Sequence, residues 1–376
     1  MAEHPALWPN TGTSTPPGPG LTAEPLQPKH EEISHNERPR RTLRGDTPTD
    51  RAVPSDHVSP RSLSPTEFGA HFDAVCTNID RVVHGKPDAV RLAVITLIAG
   101  GHLLIEDVPG VGKTSLAKAL ATSVGCTWKR VQFTPDLLPS DLIGVTVYRR
   151  SDEAFHFTPG PVFANLVVAD EINRASPKTQ SALLEAMEER TVSVDGIRND
   201  LPQPFMVIAT QNPIEQEGTY RLPESQIDRF MMRLSLGYPD PRAEVRMLDD
   251  SGSGSTLPDL AAVVDPATLA AMIDHARALH LADALKDYLV RIVTATRQHP
   301  EVLLGLSPRA TLQLAAAARA HAAAQGRDHV LPDDIKAVAE PCLAHRLLLV
   351  NDRQRQQSGA ALVADVLARV PVPVGR

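Results

Sequence analysis

The sequence predicts an α/β fold, a parallel sheet held between helices, followed by a small all-α second domain. Three observations carry that expectation. Between about residues 65 and 239, short apolar runs alternate with helical patterns, and such alternation implies parallel strands joined by crossover helices. One of the runs, His102-Leu103-Leu104-Ile105, feeds a glycine-rich loop that opens directly into a helical pattern. Beyond residue 258, alanine and leucine recur at helical spacing with no convincing strand.

Size and composition narrow the class. A chain of 376 residues is long enough for two folded domains and a tail. Apolar residues make up 42%, enough for sizeable cores, but aromatics are only 4%, so packing rests on Leu, Val, Ile and Ala. A net charge of −7 argues against a general nucleic-acid coat, so no nucleic-acid partner is expected. Cys76, Cys126 and Cys342 are odd in number and widely spaced, which fits neither a disulfide framework nor a zinc site and points to a reducing cytoplasm. No signal pattern is read at the start, and Leu92 to Ile105 is interrupted by Gly100, Gly101 and His102, so no membrane insertion is expected.

Taken in order, residues 1–64 hold roughly a third of the 33 prolines and few aliphatic residues, and read as a disordered tail. Trp8 is either a docking point or part of an inert tail. Ser64-Pro65-Thr66-Glu67 is a helix-start signal. Residues 65–248 form the expected α/β domain, with strands at Trp128–Phe133, Leu166–Ala169, Phe205–Thr210 and Met232–Leu236 beside the run before the loop. Residues 249–257, with Ser251-Gly252-Ser253-Gly254-Ser255, read as a flexible linker, and residues 258–376 as the helical domain.

The loop Pro109-Gly110-Val111-Gly112-Lys113-Thr114-Ser115 is a phosphate cradle. Its backbone N–H groups and the helix start behind it supply positive potential for phosphate oxygens. Lys113 is placed to reach the terminal phosphates, and Thr114 to set its hydroxyl on Mg2+. Asp107 stands where the usual pattern has glycine; that position is furthest from the phosphates, so modest effects are expected of it.

Leu166-Val167-Val168-Ala169 ends in Asp170-Glu171. Phosphoryl transfer needs a metal-held carboxylate, which suits Asp170, and a group to orient or deprotonate water, which suits Glu171. Asn212, at the tip of the next apolar run, could hold that water or touch the terminal phosphate. Arg229 lies in Leu222–Phe230, read as a helix opened by Pro223, and could reach a neighbouring subunit's phosphate. Arg309 follows Ser307-Pro308 in the first turn of a helix, where a cation opposes the helix dipole unless a phosphate lies near. Arg174 either senses a neighbouring subunit or packs at a helix end.

Together these residues resemble the MoxR family of AAA+ ATPases, from about Glu67 to the C-terminal helices. The most specific stretches are Phe157–Asn165, Asp170–Gln180, Glu185–Glu189, Gln211-Asn212-Pro213, Leu222–Phe230 and Leu306-Ser307-Pro308-Arg309-Ala310. The resemblance implies a P-loop NTPase AAA+ core with a helical lid, ATP as substrate with Mg2+, and a homo-oligomeric ring, a hexamer in the family. It matches Lys113 and Thr114 to Walker A, Asp170 and Glu171 to Walker B, Asn212 to sensor 1, Arg229 to the arginine finger and Arg309 to sensor 2. It implies chaperone-like action on a protein client, often beside a protein with a von Willebrand factor A domain, and a loop near His84-Gly85-Lys86 beside the adenine.

In this branch an extra hairpin interrupts a helix, here expected at about Val145 to Phe157; a second, Thr191 to Pro204, centres on Asp195-Gly196. Both are read either as projections toward a pore or partner, or as plain surface hairpins. Three other functions stay open at this point: a magnesium-chelatase-like motor subunit, a nucleic-acid-stimulated motor, and a non-hydrolysing nucleotide switch.

Overall fold

Helix α1 (Pro65–Asp80) begins where serine and proline announce it. The Ser64 hydroxyl accepts the Glu67 N–H at 3.2 Å, and the Glu67 carboxylate accepts the Ser64 N–H at 2.9 Å, a reciprocal cap. Phe68, Phe72, Val75, Cys76 and Ile79 recur at helical spacing along its buried face. The structure, a computed structural model, describes residues 63–108, 110–212, 220–239, 241, 244–245, 260–350 and 355–373, all within one compact unit, Val58–Arg376. The expected tail up to residue 62, Pro109 and the expected linker 249–257 lie outside the described residues.

The chain continues through α2 (Pro87–Ile98), β1 (Leu103–Glu106), α3 (Lys113–Ser123), β2 (Trp128–Gln132) and the short α4 (Pro139–Ile143). A hairpin follows, β3 (Gly144–Arg149) with β4 (Ala154–Pro159), then β5 (Leu166–Asp170), α5 (Pro177–Glu189) and a second hairpin, β6 (Thr191–Val194) with β7 (Ile197–Asp200). The core closes with β8 (Met206–Gln211), α6 (Glu224–Ile227) and β9 (Met232–Leu234).

Five strands pair in parallel in the order β2-β5-β8-β1-β9. Their residues alternate between two apolar layers, as the two-residue period of a strand requires. Leu103, Ile105, Leu166, Val168, Met206, Ile208, Met232 and Leu234 join the layer containing α1, α2 and α3. Leu104, Val167, Ala169, Val207 and Ala209 join the opposite layer, with Leu183 and Leu184 of α5. Because β5 and β8 are covered on both sides, their sequences read as unbroken apolar runs. Fully burying one such side chain contributes roughly 1.5–3 kcal/mol, so these runs hold the sheet together.

Both expected hairpins form, but the first does not interrupt a helix: it follows the short α4 and returns through the turn at 160–165 to β5. In the second, Asp195 and Gly196 take φ of 52° and 78°, the left-handed pair that a two-residue turn between twisted strands demands. The expectation of a helix over Leu222–Phe230 needs correction, because only Glu224–Ile227 is helical. The Phe230 carbonyl accepts from Arg346 Nη2 at 2.7 Å and pairs with His345 Nε2 at 3.0 Å. Those tertiary bonds draw the chain out of the helix, so Arg229 sits in the turn before β9.

The helical second part comprises α7 (Pro266–Ala278), α8 (Asp283–Arg297), α9 (Pro308–Ala324), α10 (Pro332–Leu343) and α11 (Arg355–Arg369). It also carries a short antiparallel ladder, Val302–Leu304 with Leu348–Leu349, which the sequence reading did not anticipate. Helix α9 is lined with buried alanines, whose small side chains let it approach α1, α2 and α10 closely. Among the described residues, no helix is long and apolar enough to cross a membrane.

Asp334 caps α10 from a buried position, accepting the Leu331 N–H at 2.7 Å and Arg327 Nη1 at 2.6 Å, and pairing with His321 Nδ1 at 2.7 Å. Burial alone would raise its pKa, but the bonds from His321, Arg327 and Leu331 bring it down from 3.8 to about 2. A depressed folded pKa contributes stability above the unfolded value and loses it as pH falls through the folded one. Asp334→Asn is therefore expected to cost about 2 kcal/mol at pH 7, with the deficit shrinking between about pH 4 and pH 2. Urea unfolding at pH 7 and pH 3 checks this, and a deficit unchanged with pH would contradict it.

Candidate active site

The loop between β1 and α3 has the backbone its glycines allow. Gly110 and Gly112 take φ of 84° and 92°, and a Cβ at either would meet nothing within 4 Å, so the space beside them stays open for a ligand. Gly112 caps α3 with its backbone only. Lys113 Nζ donates to the Asp107 carbonyl at 2.6 Å, and Thr114 Oγ1 donates to Asp170 Oδ2 at 3.2 Å. Val111 packs against the core, and Ser115 follows in the first turn of α3.

Asp170 ends β5, 5% exposed, and is held on three sides. Beyond Thr114, its Oδ2 accepts from Arg130 Nε at 2.6 Å, and its Oδ1 from Thr210 Oγ1 at 3.1 Å. Thr114 and Asp170 thus present two hard oxygens side by side. Mg2+ typically takes one or two protein oxygens and completes its shell with waters and substrate phosphates, so this pair fits it.

Glu171 takes φ of 56°, a left-handed backbone that a non-glycine residue rarely adopts and that clusters at functional sites. Its N–H donates to Thr210 Oγ1 at 3.0 Å. Gln132 Nε2 at 2.7 Å and Arg174 Nη1 at 2.8 Å both donate to Oε2, so the carboxylate is oriented through one oxygen. Within this chain Arg174 therefore faces Glu171. Asn212 follows β8, 8% exposed; β8 pairs with β1 up to Glu106↔Gln211, and Asp107 N donates to Gln211 O at 3.2 Å. Asn212 is thereby set beside the start of the loop.

Arg229 and Arg309 lie elsewhere. Both guanidiniums pair with Glu188, Arg229 Nη2 at 2.9 Å and Arg309 through Nη2. With Arg190 and Gln313 they line a cavity of about 180 Å³ beside Gly101 and His102, at the start of β1. The loop leaves the other end of β1, and four residues at about 3.3 Å each separate the two ends by roughly 10 Å. Arg309 Nη1 and Arg346 Nε also approach Asp228 at 3.8 and 3.5 Å, so three guanidiniums share two carboxylates. Arg229 Nε and Arg346 Nε and Nη1 are buried without a hydrogen-bond partner among the described residues, so Arg346 Nε meets Asp228 through charge alone. His102 spaces this end as a neutral group, since burial, with Arg190 adding to it, pushes its pKa down to about 3.

Sequence reasoning missed Arg130, Gln132, Thr210, Glu188 and Asp228. Glu188 did leave a signal. An acid in the last turn of α5 and Arg309 in the first turn of α9 both oppose their helix dipoles, and pairing them offsets both penalties.

Comparison with known proteins fits this geometry. A family model described as the ATPase family associated with various cellular activities (AAA) matches residues 102–232, and an AAA lid domain model matches residues 294–366. The chain is 49% identical over 303 residues to YeaC of Bacillus subtilis (strain 168), covering 80% of this chain and 94% of that protein. It is 42% identical over 305 residues to Chaperone MoxR1 of Mycobacterium tuberculosis (strain ATCC 25618 / H37Rv), covering 78% and 80%. A crystal structure from Cytophaga hutchinsonii, named as an ATPase, superposes with a TM-score of 0.76 at 35% identity, covering 82% of this chain and 97% of that one. With the parallel sheet, the phosphate cradle and the helical lid in place, the chain belongs to the MoxR family of AAA+ ATPases.

Proposed function

We propose that this chain binds ATP with Mg2+ and hydrolyses it at interfaces between copies of itself in a ring. The observation that carries the reading is the separation of Arg229 and Arg309 from Lys113 along β1. One chain holds the loop and acids at one end of its sheet and a surplus of guanidinium charge at the other. Stacking copies so that one chain's arginine end meets the next chain's loop completes the site, and repetition of such a head-to-tail contact closes a ring. The family resemblance implies a hexamer.

Each residue then has a task. Gly110, Val111, Gly112, Lys113 and Ser115 cradle the phosphates, as does Pro109, and Lys113 exchanges the Asp107 carbonyl for phosphate oxygen. Thr114 and Asp170 hold Mg2+, which would supply charge neutralisation on the phosphates. Glu171 takes the proton of the attacking water, and Asn212 orients that water. Arg229 and Arg309 of the preceding copy meet the charge that develops on the transferred phosphoryl group. Residues 65–248 serve as the nucleotide-binding domain, 249–257 as the linker and 258–376 as the lid.

The work done with this energy is chaperone-like remodelling, maturation or activation of a protein partner in the cytoplasm, with a von Willebrand factor A domain protein as an accompanying partner. The relative named Chaperone MoxR1 supports that class of action. Phosphate release from MgATP tests the reading. Lys113→Ala is expected to reduce release by about 10²-fold or more, as loss of phosphate-site charge does. Wild-type protein that releases no phosphate, or a variant that matches it, would overturn the reading.

A further inference from the structure

Asp107 occupies the position at which a phosphate loop commonly has glycine, yet the backbone there needs none, since Asp107 is absent from the positive-φ residues. The residue is 7% exposed and makes five hydrogen bonds. Its N–H donates to Gln211 O at 3.2 Å, and its carbonyl accepts Lys113 Nζ at 2.6 Å. Its carboxylate accepts Val108 N–H at 3.0 Å through Oδ1. Through Oδ2 it accepts Ser235 Oγ at 3.1 Å and Gly237 N–H at 2.6 Å.

Residues 235–238 are the strap by which the chain leaves β9 on its way to the helical part. The strap is gripped a second time by Lys86 Nζ, which donates to Tyr238 O at 2.7 Å from the turn before α2. Asp107 therefore joins the loop that receives phosphate to the segment that leads out of the sheet. A glycine would leave Ser235 and the Gly237 N–H without this acceptor. Its carboxylate supplies three acceptor contacts from two oxygens, and no neutral side chain of the same size can reproduce all three.

We propose that Asp107 is a positioning residue that locks the phosphate loop to the 235–238 strap, so that nucleotide occupancy and the strap's conformation are coupled. This rests on the reading of the loop as a nucleotide site. The effect runs opposite to what the sequence pattern suggests, because restoring the pattern's glycine should weaken the site.

Calorimetric titration with MgADP on the full chain tests this, with hydrogen exchange at residues 235–238 as a second readout. Asp107→Asn and Asp107→Gly are each expected to weaken MgADP binding about tenfold, the loss of one charge-assisted hydrogen bond. Ser235→Ala should weaken it by about threefold, and adding it to Asp107→Asn should weaken binding no further, because both act through one contact. Saturating MgADP should slow exchange at 235–238 in wild type and Ser235→Ala, but not in Asp107→Asn; a merely structural role would leave that response intact. Asp107 variants that bind within twofold of wild type, or full additivity with Ser235→Ala, would overturn the proposal. If the Asp107 variants fail to fold, unchanged affinity in Ser235→Ala is enough to overturn it. Wild-type protein that does not bind MgADP at all would instead remove the nucleotide reading itself.

Discussion

Glu171→Gln is expected to bind MgATP as tightly as wild type and to hydrolyse it about 10²–10⁴-fold more slowly, the range that a positioned general base contributes. The amide keeps the size and the carbonyl acceptor, so Gln132 and Arg174 still have an oxygen to donate to. It cannot take a proton from water. The left-handed backbone at this position and the Thr210 bond to its N–H are untouched by the change, which isolates the chemistry from the fold. Equilibrium binding and single-turnover phosphate release on the same preparation separate the two quantities. Turnover near the wild-type rate would remove Glu171 from its role.

Arg229→Ala is expected to lose about 10³–10⁵ in turnover while the ATP dissociation constant of the same subunit stays within about threefold of wild type. The split follows from geometry, since Arg229 lies at the end of β1 remote from its own Lys113. Glu188 retains Arg309 as its partner, so removal of Arg229 does not strand a carboxylate, and the thermal midpoint should move little. A loss of affinity equal to the loss of turnover would place Arg229 in its own chain's site and undo the split.

Much of the sheet was legible in the sequence because β5 and β8 are covered on both faces and so read as apolar runs. Boundaries slipped by one residue where a polar side chain finishes a strand, as Asp170 and Gln211 do, and by two at β9, which ends at Leu234 rather than Leu236. The Asp195-Gly196 turn was legible because its backbone conformation restricts residue choice. The ladder between Val302–Leu304 and Leu348–Leu349 was not, since two short leucine runs far apart in sequence carry no periodicity. Lys113, Thr114, Asp170, Glu171 and Asn212 were legible as candidates because each sits at a strand tip or helix start next to a recognisable motif. Gln132 and Arg130 could not, because on an exposed strand their alternation looks like ordinary solvent-facing residues until β2 is set in register against Asp170. Asp107 looked like a flaw in a motif, and only the strap from β9 reveals what its carboxylate holds.

In the proposed ring, each working site is shared by two chains. Equimolar mixing of Arg229→Ala with Lys113→Ala subunits addresses it most directly, with native mass spectrometry confirming mixed assemblies and phosphate release read on the same sample. At interfaces where an Arg229→Ala loop meets a Lys113→Ala neighbour, both an intact lysine and an intact arginine are present. The mixture is expected to recover turnover that neither variant has alone. Mixed assemblies that release no more phosphate than the separate variants would contradict the shared site.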